Sequence, residues 1–336
     1  MEETGIWQDA RELPESLAAT LDAAEGFSAV AALLGRPNVR RIVATGNGAS
    51  YFAAQALWLA ALESERPPAE VVAVPGGLLA RGEFRWREGD TLLAVSSSGE
   101  LRDLVEAVDD PRTPRPFALV TASPESTLGR AAGAQAVVRV LRQRAVTHTQ
   151  AFCGGVLASL AVWARASRDE SLARAAEEAP AACERAIERA LAWSAQELPR
   201  VEPPVAAIAF GTGPAWAAAL EAALLLKEVA QIPCEGAETR EGATGAKTAL
   251  GPGRLALSLP IGDDPLATEA EAVCASLGAR VLRAPGGDEG DRRLAAITTF
   301  PAAVALSTEL ALRRGLDPDR PTWTNAYYST ARRDPR

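Results

Sequence analysis

Residues 39–74 read VRRIVATGNGASYFAAQALWLAALESERPPAEVVAV, and residues 204–238 read PVAAIAFGTGPAWAAALEAALLLKEVAQIPCEGAE. Each stretch opens on a short apolar run suited to a buried strand. A G-x-G turn follows, Gly46 and Gly48 in the first and Gly211 and Gly213 in the second. An alanine-rich helical stretch comes next, then a proline ahead of another strand. Further on, TLLAVSSSGELRDLVEAV (91–108) parallels RLALSLPIGDDPLATEAEAV (254–273). Both run from a strand through a glycine-containing turn into an acidic helix start. The offset between the two pairs is about the same, which argues that a whole domain has been duplicated.

Strands are expected at 40–45, 70–74, 91–95, 117–121 and 136–140 in the first half. In the second they are expected at 205–210, 232–235, 254–259, 279–283 and 297–300, with helical stretches between them. Such alternation predicts an α/β protein made of two tandem doubly wound parallel-sheet domains, 1–198 and 199–336. Residues 152–200 read as helix, and Val201–Pro204 (VEPP) reads as the joint. Sheets of this kind take ligands beyond the carboxyl ends of their strands, at helix N-termini.

The 336 residues carry a formal charge of −8, and Lys and Arg form no stripe, so a nucleic-acid partner is not expected. The four cysteines (Cys153, Cys183, Cys234, Cys274) are far apart and His148 is the only histidine, so no zinc site is expected and the thiols read as reduced. The acidic, polar N-terminus does not read as a signal peptide, and no apolar run approaches the roughly 20 residues that span a bilayer. A cytoplasmic protein with no membrane partner is the expectation.

G-x-G after a strand suits a dinucleotide or merely a tight turn. The third glycine of a dinucleotide fingerprint is missing, since Tyr51 and Trp216 stand in its place, and no NAD or other cofactor is expected. The first copy instead adds Asn47 and Ser50 beside Gly46, and the same domain supplies Ser96, Ser97 and Ser98 where another strand ends. Two donor-rich loops at neighbouring strand ends suit a phosphate. The second copy has Pro214 and SLPIG at the matching places, so one phosphate cradle per chain is expected.

This combination resembles the sugar isomerase (SIS) domain family, and within it the double-SIS proteins: the isomerase half of glucosamine-6-phosphate synthase and related amino-sugar-phosphate isomerases and deaminases. The likeness runs from ELPESLAATL to RGLDPDRPTW. The family's S-x-S-G-E-T phosphate loop is similar to SSSGEL here, and its E-G-A-L-K-L-K-E helix to EAALLLKE (221–228). Glu235 stands seven residues after Glu228, at the place of the glutamate in the family's H-A-E. The resemblance implies a small-molecule sugar phosphate as ligand, no metal, and a homodimer. It also implies that Glu235 shuttles a proton between C1 and C2 of an aldose or ketose 6-phosphate. Such chemistry needs one carboxylate working on one face of an enediol and a grip on the distant phosphate.

The sequence departs from the pattern in three places. REGATGA (240–246) stands for the family's G-E-x-x-H-G-P, so Thr244 occupies the place of the ring-opening histidine. Ala326 lies where a lysine often reaches the sugar, and QRAVTHTQAF (143–152) replaces E-x-x-V-A-S-T-K-A-F. There Gln143 and Gln150 stand for charged residues and His148 appears, a second candidate for proton transfer. The expected function is a phosphosugar isomerase or deaminase. The alternative is a non-catalytic phosphosugar sensor that kept the cradle and lost the acid–base set.

Overall fold

A computed structural model describes residues 1–65 and 67–331, apart from the side chains of Glu25, Ala243, Thr244, Tyr327 and Tyr328. The architecture is α/β, with two sheets whose strand pairs are all parallel. The first sheet holds β1 (Arg41–Gly46), β2 (Glu70–Pro75), β3 (Asp90–Val95), β4 (Ala118–Thr121) and β5 (Ala134–Val137) in the order β2-β1-β3-β4-β5. The second holds β6 (Ala206–Gly211), β7 (Cys234–Glu238), β8 (Arg254–Leu259) and β9 (Arg280–Arg283) in the order β7-β6-β8-β9. The repeat seen in the sequence is therefore a repeat of topology. It extends to the turns, because Gly48 and Gly213 adopt nearly the same left-handed φ, 54° and 55°. A side chain would strain the backbone there.

The inner strands β1, β3, β4, β6 and β8 are buried along almost their whole length. Helices cover both faces of a parallel sheet, so its strands read as unbroken apolar runs. In the first sheet Val43, Leu92 and Leu119 meet Leu104, Val105 and Val108 of the helix Arg102–Asp109. In the second, Ile208, Phe210 and Ala256 pack with Ala270 and Cys274 of the helix Pro265–Ser276. At the amino end of the first sheet Arg41 and Asp90, opposite each other in the register, form a two-pronged ion pair at 2.9 and 2.6 Å.

Several expectations are corrected. No strand forms at 297–300: those residues belong to the helices Ala295–Thr298 and Phe300–Arg313. Pro301, in the first turn, suits a helix start, and the apolar run after it is buried. β5 begins two residues earlier than expected and β7 two residues later. The helical stretch 152–200 is two helices, Thr149–Ser167 and Glu170–Glu197, with Arg168 between them at a φ of 58°. The run 292–313 is long and apolar enough to cross a membrane by composition, but 94% of its apolar window is buried inside the protein, as in a core helix.

By packing, the chain forms two compact units of interleaved segments. Among the described residues, one contains 15–141, 150–177 and 323–331, and with them the first sheet; the other contains 1–14, 142–149 and 178–322, and with them the second.

Tight packing against the first sheet gives a stability prediction. Gly26, in the helix Glu25–Leu34, lies so close to β5 that a Cβ there would stand 2.1 Å from the carbonyl oxygen of Gln135. The backbone has to shift to admit a methyl group, so Gly26→Ala should destabilise the protein by about 1–3 kcal/mol despite alanine's better helix propensity. Urea unfolding followed by circular dichroism measures this; an unchanged midpoint would refute the close approach.

Candidate functional site

The chain leaves β1 to build β2 on one side and returns to build β3 on the other. Open α/β sheets hold their ligands at such a reversal, beyond the carboxyl ends of the two strands concerned, here β1 and β3. Gly46 ends β1, Asn47 follows, and Ser50 lies in the first turn of the helix Ala49–Leu62. Ser96, Ser97 and Ser98 follow β3 directly. All six cradle residues named from the sequence thus stand at adjoining strand ends of one unit.

The serines divide by role. Ser96 is fully buried: its N–H donates to the Val120 carbonyl at 2.9 Å, and its hydroxyl accepts from the Gly99 N–H at 3.1 Å. It holds the loop. The Ser98 hydroxyl accepts from the Glu100 N–H at 3.3 Å, while the hydroxyls of Ser50 and Ser97, both half-buried, engage no partner among the described residues. Gly99 turns the chain at a φ of 64°, and a Cβ there would lie 1.9 Å from the Ser126 hydroxyl. Glu100 points away from the serines, accepting from the Thr127 N–H at 2.7 Å and its hydroxyl at 2.8 Å. The next helix, Arg102–Asp109, starts with no side-chain cap. Asp103 in its first turn accepts from the Asn47 side-chain amide at 3.0 Å.

The second unit differs at the same place. Beyond β8, Asp264 caps the helix Pro265–Ser276 by accepting from the N–H groups of Leu266 and Ala267 at 3.0 and 3.2 Å. A carboxylate of the chain itself occupies the helix start that an anion would seek.

The two residues named for proton transfer stand apart from these loops in sequence and lie on different elements. Glu235 is exposed in β7, an edge strand, opposite Ile208 of β6. His148 is half-buried just before the helix Thr149–Ser167. Its segment is fastened through its backbone: the Arg144 and Ala145 N–H groups donate to the Asp9 carboxylate at 2.8 and 3.0 Å, and the Val146 N–H donates to the Asp319 backbone carbonyl at 3.0 Å. Gln143 and Gln150 bond locally, Gln143 donating to the Ala145 carbonyl at 3.0 Å and Gln150 accepting from the Leu141 N–H at 2.9 Å. Glu238 caps the helix Thr239–Thr244, which carries the exposed Glu241, through the N–H groups of Arg240 and Glu241. The Thr244 side chain lies outside the described residues, and Ala326 is exposed on the helix Thr324–Ala331. Buried Lys247 seats this crossover, donating to the Thr239 carbonyl at 2.7 Å beneath the ring of Phe210.

The structure adds two carboxyls that sequence reading used only as a motif. Glu221 and Glu228 lie two helical turns apart on the helix Ala215–Glu228. Burial pushes Glu228 from 4.5 up to about 7, with Lys227 opposing the shift. Burial, then the nearby Glu228, raises Glu221 well above the usual carboxylate range. A carboxyl poised near 7 suits a general base far better than one at the ordinary value. The signal for it was a glutamate on the apolar face of an alanine–leucine helix. Among the described residues, no three His, Cys, Asp or Glu side chains are placed to hold a metal ion.

No protein-family model and no curated protein matches the chain. Solved structures do match it over nearly its whole length. The C-terminal domain of glucosamine-fructose-6-phosphate aminotransferase from Francisella tularensis superposes with a TM-score of 0.81 at 19% identity, covering 95% of this chain and 98% of that one. Glucosamine-6-phosphate deaminase from Thermotoga maritima gives 0.74 at 19%, covering 95% and 98%. Tagatose-6-phosphate ketose/aldose isomerase from Escherichia coli gives 0.76 at 16%, covering 94% and 95%. With two parallel sheets in tandem and neighbours of this kind, the chain has the fold of the double-SIS proteins.

Proposed function

We propose that this chain binds a sugar phosphate, its phosphate seated beyond the carboxyl ends of β1 and β3, and isomerises or deaminates it through an enediol-type proton transfer. The observation that carries the binding is the placing of two uncommitted, half-buried hydroxyls, Ser50 and Ser97, after adjacent strands at the strand-order reversal of the first sheet. Gly46, Asn47, Ser96 and Ser98 complete the cradle in this reading, and an uncapped helix start adds its dipole. The substrates named for the structural neighbours, all with a 6-phosphate, point to the same ligand class. A cytoplasmic site of action and a homodimer belong to the proposal.

Binding is tested first. Ser98→Ala should weaken affinity for fructose 6-phosphate or glucosamine 6-phosphate by about 1.5–3 kcal/mol, the range for hydrogen bonds to a charged group. Calorimetry showing unchanged affinity in a folded variant would take the serine loop out of the site.

For the proton transfer, Glu235 is the base implied by the family likeness, with His148 as a second candidate. Solvent deuterium exchange into C1 or C2 of the bound sugar tests them: Glu235→Gln should abolish exchange and His148→Ala should slow it markedly, and exchange that persists in Glu235→Gln would remove the assigned base. Burial of Glu228 gives a separate stability prediction. A carboxyl raised from 4.5 to about 7 binds more protons when folded, so its contribution is present below pH 4.5 and lost as pH rises through 7. Glu228→Gln should flatten that trend in urea unfolding measured across this pH range. Tight binding without exchange from any tested sugar would favour the sensor.

Assembly has its own readout. Leu277 and Val273 of the helix Pro265–Ser276 region and Leu312 of Phe300–Arg313 are exposed apolar residues, and a second copy would cover such surface. Light scattering at micromolar concentration should give a dimer mass; a monomer would count against it.

A further inference from the structure

The phosphate cradle holds an apparent contradiction: an acidic side chain, Asp103, sits in the first turn of the helix whose start should attract the anion. A carboxylate there competes with a phosphate for the same positive end of the helix and repels it as well. The structure gives Asp103 a dedicated partner. The Asn47 side-chain amide, from the loop after β1, donates to Asp103 at 3.0 Å across 56 residues of sequence. The other end of that amide lies against Gly76, at the start of the helix that follows β2. The Asn47 side-chain oxygen is buried without a hydrogen-bond partner, and a Cβ on Gly76, just after β2, would stand 2.2 Å from it. Turning the amide over would point its oxygen at the Asp103 carboxylate. Asn47 is therefore held with its donors towards the acid by three loops that end three adjacent strands, those of β1, β2 and β3.

We propose that Asn47 acts as the positioning residue that draws the Asp103 carboxylate away from the phosphate, so that the pair sets how strongly the cradle takes a dianion. This rests on the phosphate reading and assigns Asn47 a role different from that of a direct ligand. Charge alone has three consequences. Removing the amide frees the carboxylate to oppose the anion. Neutralising the acid removes the opposition whether or not the amide is present. Losing both should therefore cost little. If the bond merely held the two loops in place, losing its donor would weaken binding regardless of the charge at position 103.

The test is a titration of inorganic phosphate and fructose 6-phosphate at constant ionic strength and pH 7.5, followed by phosphorus NMR, with thermal melts as a folding control. Asn47→Ala should weaken binding about tenfold, Asp103→Asn should tighten it about threefold, and the double variant should return to within about threefold of wild type, in line with a like charge added or removed beside a partly screened site. Equal weakening in Asn47→Ala and in the double variant would overturn the proposal in favour of a purely structural bond. Unchanged binding in Asn47→Ala would overturn it outright. Should Asn47→Ala fail to fold, Asn47→Ser takes its place, alone and combined with Asp103→Asn: recovery of binding in the double variant supports the proposal, and equal weakening in both overturns it. A wild-type protein that binds neither probe would remove the phosphate reading itself, a result distinct from the failure of the pair.

Discussion

Everything at the candidate site depends on the parallel pairing of β1 with β3. The register runs from Arg41 opposite Asp90 to Thr45 opposite Ala94. It is fixed at its amino end by the two-pronged Arg41–Asp90 pair, with side chains 11% and 2% exposed. Because side chains in a strand alternate faces, a slip of β3 by one residue would exchange the faces on which Leu92, Leu93 and Ala94 meet the covering helices. The same slip would carry the Gly46–Ser50 turn out of line with Ser96–Ser98. The ion pair at one end of the sheet and the candidate ligand loops at the other are thus two ends of one alignment, with the buried strands between them.

Duplication has given two versions of this device with opposite electrostatics. In the first unit the helix after β3 begins uncapped, and the acid in its first turn is engaged by Asn47. In the second, Asp264 caps the equivalent helix through two backbone N–H groups. One helix start is left without a side-chain cap, and the other is closed by a carboxylate of the chain itself. Such an asymmetry would confine the proposed anion site to one half, while the other half holds the perturbed carboxyl of Glu228.

The sheets were legible in the sequence because burial on both faces forces continuous apolar runs, and the G-x-G turns marked where they end. Ser96–Ser98 and Asn47 were legible for the same reason, as polar breaks directly after such runs. The stretch 297–300 misled because ITTF has the β-branched composition of a strand, whereas the helix it leads into is recognised only from the long apolar run beyond Pro301. Glu228 was visible as part of a motif but its displacement was not, because that arises from packing around the helix. The Asn47–Asp103 contact was illegible for a plainer reason: it joins loops distant in sequence, and only the strand order makes them neighbours.

The interleaving of the two packing units means that neither can be cut out as one continuous segment. Residues 1–14 pack in the unit otherwise made of residues 142–149 and 178–322. A fragment holding only 178–322 would keep the whole second sheet and still lack Ile6, Trp7 and Leu13, all fully buried in the protein. Its core would be open where that short segment belongs, so the sheet and its distant amino-terminal helix have to be inherited, or engineered, together.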